Sequence, residues 1–538
     1  MAKAKKQNYM YGAAILAAGV VIMKILGAIY KIPLQHILGD VGYGYFNAAY
    51  SIYNVLLTVS TAGLPVALSR MISSANTAGR PLQVRRTFHV ALCTLGGIGF
   101  LLSALMFFFP VEMAVFFVSK PAVSHSVYAL SPAVLLVCLT SAFRGYIQGH
   151  GNMTPTTVGQ VLEVLVKVAV GLALSLWLTR QGRSLPIAAA GAIFGVTAGS
   201  AAALIYMFLS CRRFYSGPPE PSEDVPDSVG DTFVSFVKIG AAITLGASVM
   251  SVFSLLDTKL IETYLPRVPG ISEQLSDQLY GCYSTIMTLY NLPASFITPM
   301  TIAVVPAIAE SVLKRDEAET GSIAESSLRV SAALAMPMGV GLAVLSVPIV
   351  GIIYPFTHAA GPRLLTLLGI ASVFVCVSLV TNAILQASGH ERFPILSMLA
   401  GGTVKVAANL SLLRLPSVNI FGAAIGTVLC YLVICLINCA YIYHILRVKP
   451  RYDRVFLRPL LSTAVMGATA WAMYGLLSRL LRVGLVPSRL PMLLALFASI
   501  ASAVAVYAIM VVQTGSVTAA DLKLIPKGEK IAAFLRMK

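Results

Sequence analysis

Charge is what this chain has least of. Only 11% of its 538 residues are Asp, Glu, Lys or Arg, where a soluble globular domain carries about 25%. Acids are scarcer still, 21 against 39 basic residues. No G-x-x-x-x-G-K-[ST] run is present, so the chain has no P-loop with which to hydrolyse ATP. The eight cysteines form no C-x-x-C pair and fall within or at the ends of apolar runs. They are expected to be inert packing residues and not metal ligands or disulfides. Dyad alternation is missing too, and the apolar runs are too long and too rich in Gly and Ala for the strands of a membrane barrel.

What fills the chain instead is apolar sequence, 57% of all residues, with a mean hydropathy of +0.82. Runs of about 20 apolar residues recur along the whole length, the signature of membrane-spanning helices. The pattern predicts an all-α polytopic membrane protein with fourteen spans. They fall near 9–30, 44–72, 86–109, 126–148, 154–179, 186–211, 232–264, 278–306, 323–354, 363–387, 393–413, 419–446, 457–480 and 490–513. The basic start "MAKAKK" leads into an apolar part too long for a signal peptide, so it is expected to stay as a first helix with a cytoplasmic N-terminus. With that orientation, 21 of the 39 basic residues lie on the cytoplasmic side and 10 outside, as the positive-inside rule requires. A net charge of +18 therefore reads as topology, not nucleic-acid binding. Both termini are expected in the cytoplasm, with the protein multi-pass in the cell membrane.

The chain also repeats itself. "VKVA" occurs at Val166–Ala169 and at Val404–Ala407, an offset of 238. At the same offset Gln148 in "GYIQGHGNMTP" meets Gln386 in "AILQASGHERFP", and at 237 "YGYFNAAYSIYN" (Tyr43–Asn54) meets "YGCYSTIMTLYN" (Tyr280–Asn291). Three coincidences at nearly one offset indicate a duplicated six-span unit. An even number of spans gives both copies one orientation, related by a pseudo-twofold axis along the membrane normal. The expected organisation is a first lobe at 1–216, an acidic, Pro-rich and flexible cytoplasmic linker at 217–231, a second lobe at 232–450, two further helices within 451–515, and a basic cytoplasmic tail at 516–538.

Eight basic residues fall inside spans, where a charge is costly and marks function or a paired partner: Lys24, Arg70, Arg144, Lys167, Lys238, Lys259, Arg329 and Lys405. Lys167 follows Glu163 by one turn, the spacing of a local ion pair that either pins packing or lines a cavity. Lys405 has Gly401 and Asn409 at the matching positions. With no acid on its own helix, it is the stronger candidate for an anionic ligand. Arg70 and Arg144 lie near cytoplasmic ends of spans; they either snorkel to headgroups or ring a cavity mouth, where a guanidinium suits a diphosphate. Asp257 either holds a coupling cation or pairs with a base on another helix. His150 and His390 occupy matching turns without a metal-ligand cluster. Pro65, Pro293, Pro299, Pro306, Pro337 and Pro348 mark kinks.

The stretches "KILGAIYKIPLQHILGDVGYGYFNAAYSIYN", "STAGLPVALSRMIS", "RGYIQGHGNMTPTTVGQVLEVLVKV" and "ILQASGHERFP" together resemble one family. It is the polysaccharide-transport branch of the multidrug/oligosaccharidyl-lipid/polysaccharide (MOP) flippases, of the stage V sporulation protein B and Gram-positive lipid II flippase type. The pattern R-G-x-x-Q-G-H…P-T-x-V-x-Q-x-x-E at Arg144–Glu163 carries most of the likeness. The resemblance implies a flippase that moves undecaprenyl-diphosphate-linked saccharide from the inner to the outer leaflet by alternating access. It implies no enzyme activity and no cofactor, with membrane potential or a monovalent cation as the drive. It also implies a cavity between two six-helix lobes and a lipid tail beside the last two helices. Lys24 stands where the family places a basic residue of the first helix. The candidate substrate residues are thus Lys24, Arg70, Arg144, Gln148, Lys167 and Lys405, with Glu163 and Asp257 for pairing or coupling. Membrane lipids and cell-wall synthesis enzymes are the expected neighbours. The competing readings are a cation-coupled multidrug exporter on the same scaffold, for which cavity acids are scarce, and a non-transporting cell-wall scaffold.

Overall fold

A computed structural model describes residues 9–215, 224–446, 449–481 and 489–518. Along the first helix, side chains are described from residue 29 onward and at a few earlier positions. Among the described residues every regular element is helical. This is what a bilayer demands, since each backbone N–H and C=O in hydrocarbon has to be satisfied within its own segment.

The first unit by internal contacts is Met1–Thr263. It contains α1 (Tyr9–Thr61), α2 (Leu64–Thr77), α3 (Pro81–Phe108), α4 (Pro110–Val118), α5 (Ser124–Gly149), α6 (Thr154–Arg180), α7 (Leu185–Tyr215) and α8 (Val229–Tyr264). The second, Tyr264–Lys538, contains α9 (Glu273–Tyr290), α10 (Leu292–Leu313), α11 (Glu317–Val344), α12 (Ser346–Ile353), α13 (Gly361–Ala387), α14 (Arg392–Leu412), α15 (Phe421–Ile445), α16 (Arg458–Leu480) and α17 (Leu490–Thr514). Among the described residues, thirteen segments are long and apolar enough to cross a membrane, the first running Ile29–Thr77. Boundaries follow the hydropathy reading to within several residues. The expected outer loop between the first two spans is almost absent: α1 runs through it and turns at Gly39, whose φ of 64° only glycine adopts without strain. Proline opens the first turn of α2, α3, α6, α10, α13, α16 and α17, where its missing N–H costs nothing. Pro65 and Pro293 thus start helices, while Pro299, Pro306 and Pro337 lie inside them.

Within the first unit α6 and α7 lie side by side, α5 packs on α7 and α3, and α1 packs on α6. Small residues permit this. A Cβ at Gly195 or Gly199 of α7 would overlap the carbonyls of Lys167 and Glu163, so the two helices touch backbone to backbone at those residues. Gly145 of α5 does the same against the Pro65 carbonyl of α2, and a Cβ at Gly149 would overlap the Ile72 side chain. α8 joins this unit: Gly63 N donates to Thr244 Oγ1 at 3.1 Å, Lys259 Nζ to the Phe116 carbonyl at 2.6 Å, and the Ser119 and Thr263 hydroxyls meet at 2.9 Å. In the second unit α14 packs on α15, α13 on α11 and α15, and α16 on α17. Three turns carry a left-handed residue in each unit: Gly79 and Arg315, Gly151 and Gly389, Gly182 and Asn419. Their offsets of 236, 238 and 237 residues lie within two of the 238 and 237 of the sequence repeat.

The linker departs from expectation. Residues 217–223 lie outside the described residues, but 224–228 form a strap docked on the start of α3 and not a loose tether. The Asp224 carboxylate accepts from Leu82 N at 3.3 Å and Gln83 N at 3.1 Å, capping α3. Arg80 reaches the Val225 carbonyl at 2.7 Å and Asp227 at 2.9 Å. Arg86 donates to the Asp227 carbonyl at 2.6 Å. Ser228 and Asp231 then cap α8 reciprocally. Acidic composition suggested solvation; the basic start of α3 supplies partners instead.

Candidate functional site

The R-G-x-x-Q-G-H run ends α5 and the P-T-x-V-x-Q-x-x-E run begins α6. The turn between them sets the two helices antiparallel, and two charges of the pattern come together: Arg144 Nη2 lies 4.0 Å from Glu163 Oε2. Their side chains are 21% and 24% exposed. Ser200 of α7 donates to the other carboxylate oxygen at 3.3 Å. Glu163 is thereby balanced by Arg144 and not, as the i,i+4 spacing suggested, by Lys167. The reason is tertiary: α6 is packed so that Lys167 turns toward α1. Its Nζ donates to Tyr50 Oη at 3.4 Å and sits 4.7 Å from the Tyr50 ring centre and 5.9 Å from that of Tyr30.

Those tyrosines belong to a built surface. Tyr43, Phe46, Tyr50 and Tyr53 follow one another along α1 with ring centres 5.8–6.0 Å apart. Tyr30 closes on Phe46 and anchors its hydroxyl on the Ala192 carbonyl at 3.1 Å. Neither Tyr30 nor Tyr50 was among the residues expected to form a site. The stripe is legible in "YGYFNAAYSIYN", where aromatics recur at helical spacing in the same run that carries the repeat.

Energetics decide the character of the cluster. Placing a lysine at membrane depth costs about 2.5–3.5 kcal/mol on insertion scales, and cation–π contact returns about 0.5–2 kcal/mol. Lys167 therefore retains an unmet demand for negative charge. Arg144 Nε is buried without a hydrogen bond as well. One carboxylate between two cations leaves the site with a net positive charge and open donors.

The remaining expected residues are not all gathered here. Gln148 is half-buried in the last turn of α5, one turn beyond Arg144. Arg70 is exposed on α2. Lys24 lies on α1 with its side chain outside the described residues. Lys405, half-buried on α14, is engaged by a neighbouring group, so it is not the bare cation that its helix alone suggested. Asp257 is buried on α8 and engaged too. Lys259 reaches the Phe116 carbonyl and Arg329 pairs with Glu325 at 3.3 Å; Lys238 is exposed. His150 is a turn residue against the Tyr146 carbonyl, and burial lowers its imidazole below the usual range. In the second unit α10, α11, α16 and α17 enclose an apolar groove of ≈ 470 Å³ lined by Phe296, Leu334, Pro337, Met466, Val504 and Tyr507.

Comparison with known proteins places this geometry. A family model described as polysaccharide biosynthesis protein matches residues 10–312, and a second of the same description matches 270–359. The uncharacterized membrane protein YabM of Bacillus subtilis (strain 168) is 25% identical over 99% of this chain and 98% of its own. Stage V sporulation protein B of the same strain is 23% identical over 82% of this chain and 85% of its own. That strain's lipid II flippase MurJ is 24% identical, covering 78% and 80% respectively. Among solved structures, a lipid II flippase MurJ in an inward closed conformation superposes with a TM-score of 0.69 at 13% identity, covering 93% of this chain and 99% of that one. An inward-facing MATE multidrug transporter of the MOP superfamily gives 0.61 at 12% identity, covering 82% and 99%. The structural neighbours share the fold.

Proposed function

The chain belongs to the polysaccharide biosynthesis protein family, as a MOP-superfamily flippase of the stage V sporulation protein B and MurJ type, and from that premise we propose its cargo and mechanism. The cargo is an undecaprenyl-diphosphate-linked saccharide of the lipid II kind, carried from the inner to the outer leaflet. The observation that carries this reading is the cluster of Arg144, Glu163 and Lys167, cationic overall and backed by the α1 aromatic stripe. A diphosphate supplies the negative charge that Lys167 lacks, and Arg144 offers the donors that phosphate oxygens accept. Aromatic faces such as Tyr50 provide a platform for sugar rings. The saccharide then crosses against polar and aromatic side chains while the prenyl tail stays in the lipid. Lys24, Arg70, Gln148 and Lys405 are assigned to guiding the headgroup, and Asp257 to pairing or cation coupling.

Reconstitution in liposomes tests the proposal. A fluorescent undecaprenyl-diphosphate sugar should become accessible in the opposite leaflet only with protein present, and Lys167→Ala should slow this at least about tenfold, the equivalent of one lost charge-assisted contact. Movement of cationic dyes without movement of the lipid-linked sugar would instead identify a multidrug exporter.

A further inference from the structure

A groove of ≈ 740 Å³ opens where the first turns of α3 meet the strap and the first turns of α8. α3 contributes Leu82, Arg85, His89, Val90 and Cys93 to one wall; Pro226, Val229 and Phe233 form the other. The helix N-terminus is not an open anion site, because Asp224 already occupies the Leu82 and Gln83 amides. Arg86 is spent on the carbonyls of Pro226 and Asp227, and Asp227 itself is held by Arg80. Arg85 remains. It is exposed, and its guanidinium makes no hydrogen bond or ion pair among the described residues. One turn on, His89 is exposed and its Nδ1–H donates to the Arg85 carbonyl at 2.8 Å, which holds the ring beside the groove.

Depth in the membrane identifies that ligand. α3 has 28 residues, about 42 Å at 1.5 Å per residue, against a hydrocarbon core of about 30 Å. Its apolar run, 86–109, is the part that crosses, and Phe108 and Phe109 are 72% and 51% exposed, so the overhang falls at the N-terminal end. Arg85 therefore lies at headgroup level, and Val90 and Cys93 lie among the upper acyl chains. Across the groove Val229 and Phe233 are 60% and 44% exposed. An exposed guanidinium at the rim and an apolar trough beneath it match a molecule that is anionic at one end and hydrocarbon at the other.

We propose that this groove binds one anionic glycerophospholipid of the adjacent leaflet, with its phosphate on Arg85 and an acyl chain along Val90, Val229 and Phe233. Arginine provides the bidentate phosphate contact. The site is separate from the Arg144–Glu163–Lys167 cluster and does not depend on the substrate assigned there. Because the strap forms one wall, occupancy also fastens the linker to α3.

Cys93 makes the test direct, since it is the exposed member of the eight cysteines. The full chain in detergent is alkylated with a maleimide after adding phosphatidylglycerol, phosphatidylcholine or inorganic phosphate, with Cys93→Ser defining background. Phosphatidylglycerol at ten times its dissociation constant should slow Cys93 labelling by about tenfold. Phosphatidylcholine and inorganic phosphate should not, and Arg85→Glu should abolish the protection. Equal protection by phosphatidylcholine, protection by inorganic phosphate alone, or undiminished protection in Arg85→Glu would each overturn the proposal. Native mass spectrometry of the unsubstituted chain gives a second reading that needs no variant. One phosphatidylglycerol should be retained in preference to phosphatidylcholine, and no preference counts against the site.

Discussion

Glu163 illustrates how far one residue's surroundings outweigh its sequence spacing. Its i,i+4 neighbour Lys167 was the natural partner, yet the carboxylate faces Arg144 across the α5–α6 contact. Removing Arg144 leaves a half-buried carboxylate with Ser200 as its hydrogen-bond donor. For fully buried pairs such a loss costs about 3–5 kcal/mol; here both side chains are more than a fifth exposed, so solvent screening reduces it to about 1–2 kcal/mol. Arg144→Ala should destabilise the detergent-solubilised protein by that amount, Glu163→Gln by less, and the pair together by less than their sum. A denaturation double-mutant cycle measures the coupling, and strict additivity would mean that the 4.0 Å approach carries no interaction. The contrast between the two VKVA lysines was misjudged for the same reason. What surrounds Glu163 and Lys167 depends on α5 and α1, and those helices are about 20 to 120 residues away in sequence.

Helices were legible where the physics is local. Span ends were read to within several residues because hydrocarbon thickness and internal hydrogen bonding dictate both length and composition. Breaks at Gly39 and Gly63 and the docking of the linker were not, because each depends on contacts made elsewhere in the chain. Asp224 is about 140 residues from the α3 amides that it caps, and no periodicity announces such a pair. Asp224→Ala should cost about 1 kcal/mol, the usual value of a lost N-cap, and should release the strap. Limited proteolysis in residues 216–228 is the sensitive readout. Faster cleavage in the variant than in the unsubstituted chain is expected, whereas equal rates would show that Arg80 and Arg86 suffice to hold the strap. The turns at His150 and His390 were legible in the sequence, since a Gly-His pair shortly before a proline is a local turn signal.

At the scale of the whole molecule, the excess of basic over acidic residues bears on how translocation is driven. The cargo proposed above, a diphosphate-linked lipid leaving the inner leaflet, would carry two negative charges outward, which an inside-negative potential favours by about 4.6 kcal/mol per 100 mV. The candidate site carries one net positive charge, from Arg144 and Lys167 against Glu163. Loaded, it is net negative by one; empty, it is net positive by one. Outward movement of the first and inward return of the second both run down an inside-negative potential. Replacing Lys167 by Gln does not change the charge moved per cycle, which belongs to the substrate alone. It does change how that charge is shared: the loaded step then moves two charges and the empty return moves none. In liposomes clamped by a potassium gradient and valinomycin, the unsubstituted protein should therefore accelerate in both half-reactions as the interior becomes more negative. Lys167→Gln should keep voltage dependence in the loaded half-reaction and lose it in the return. Rates indifferent to the clamp in both proteins would rule out the potential as the drive and direct attention to a coupled cation, with Asp257 as the first acid to substitute.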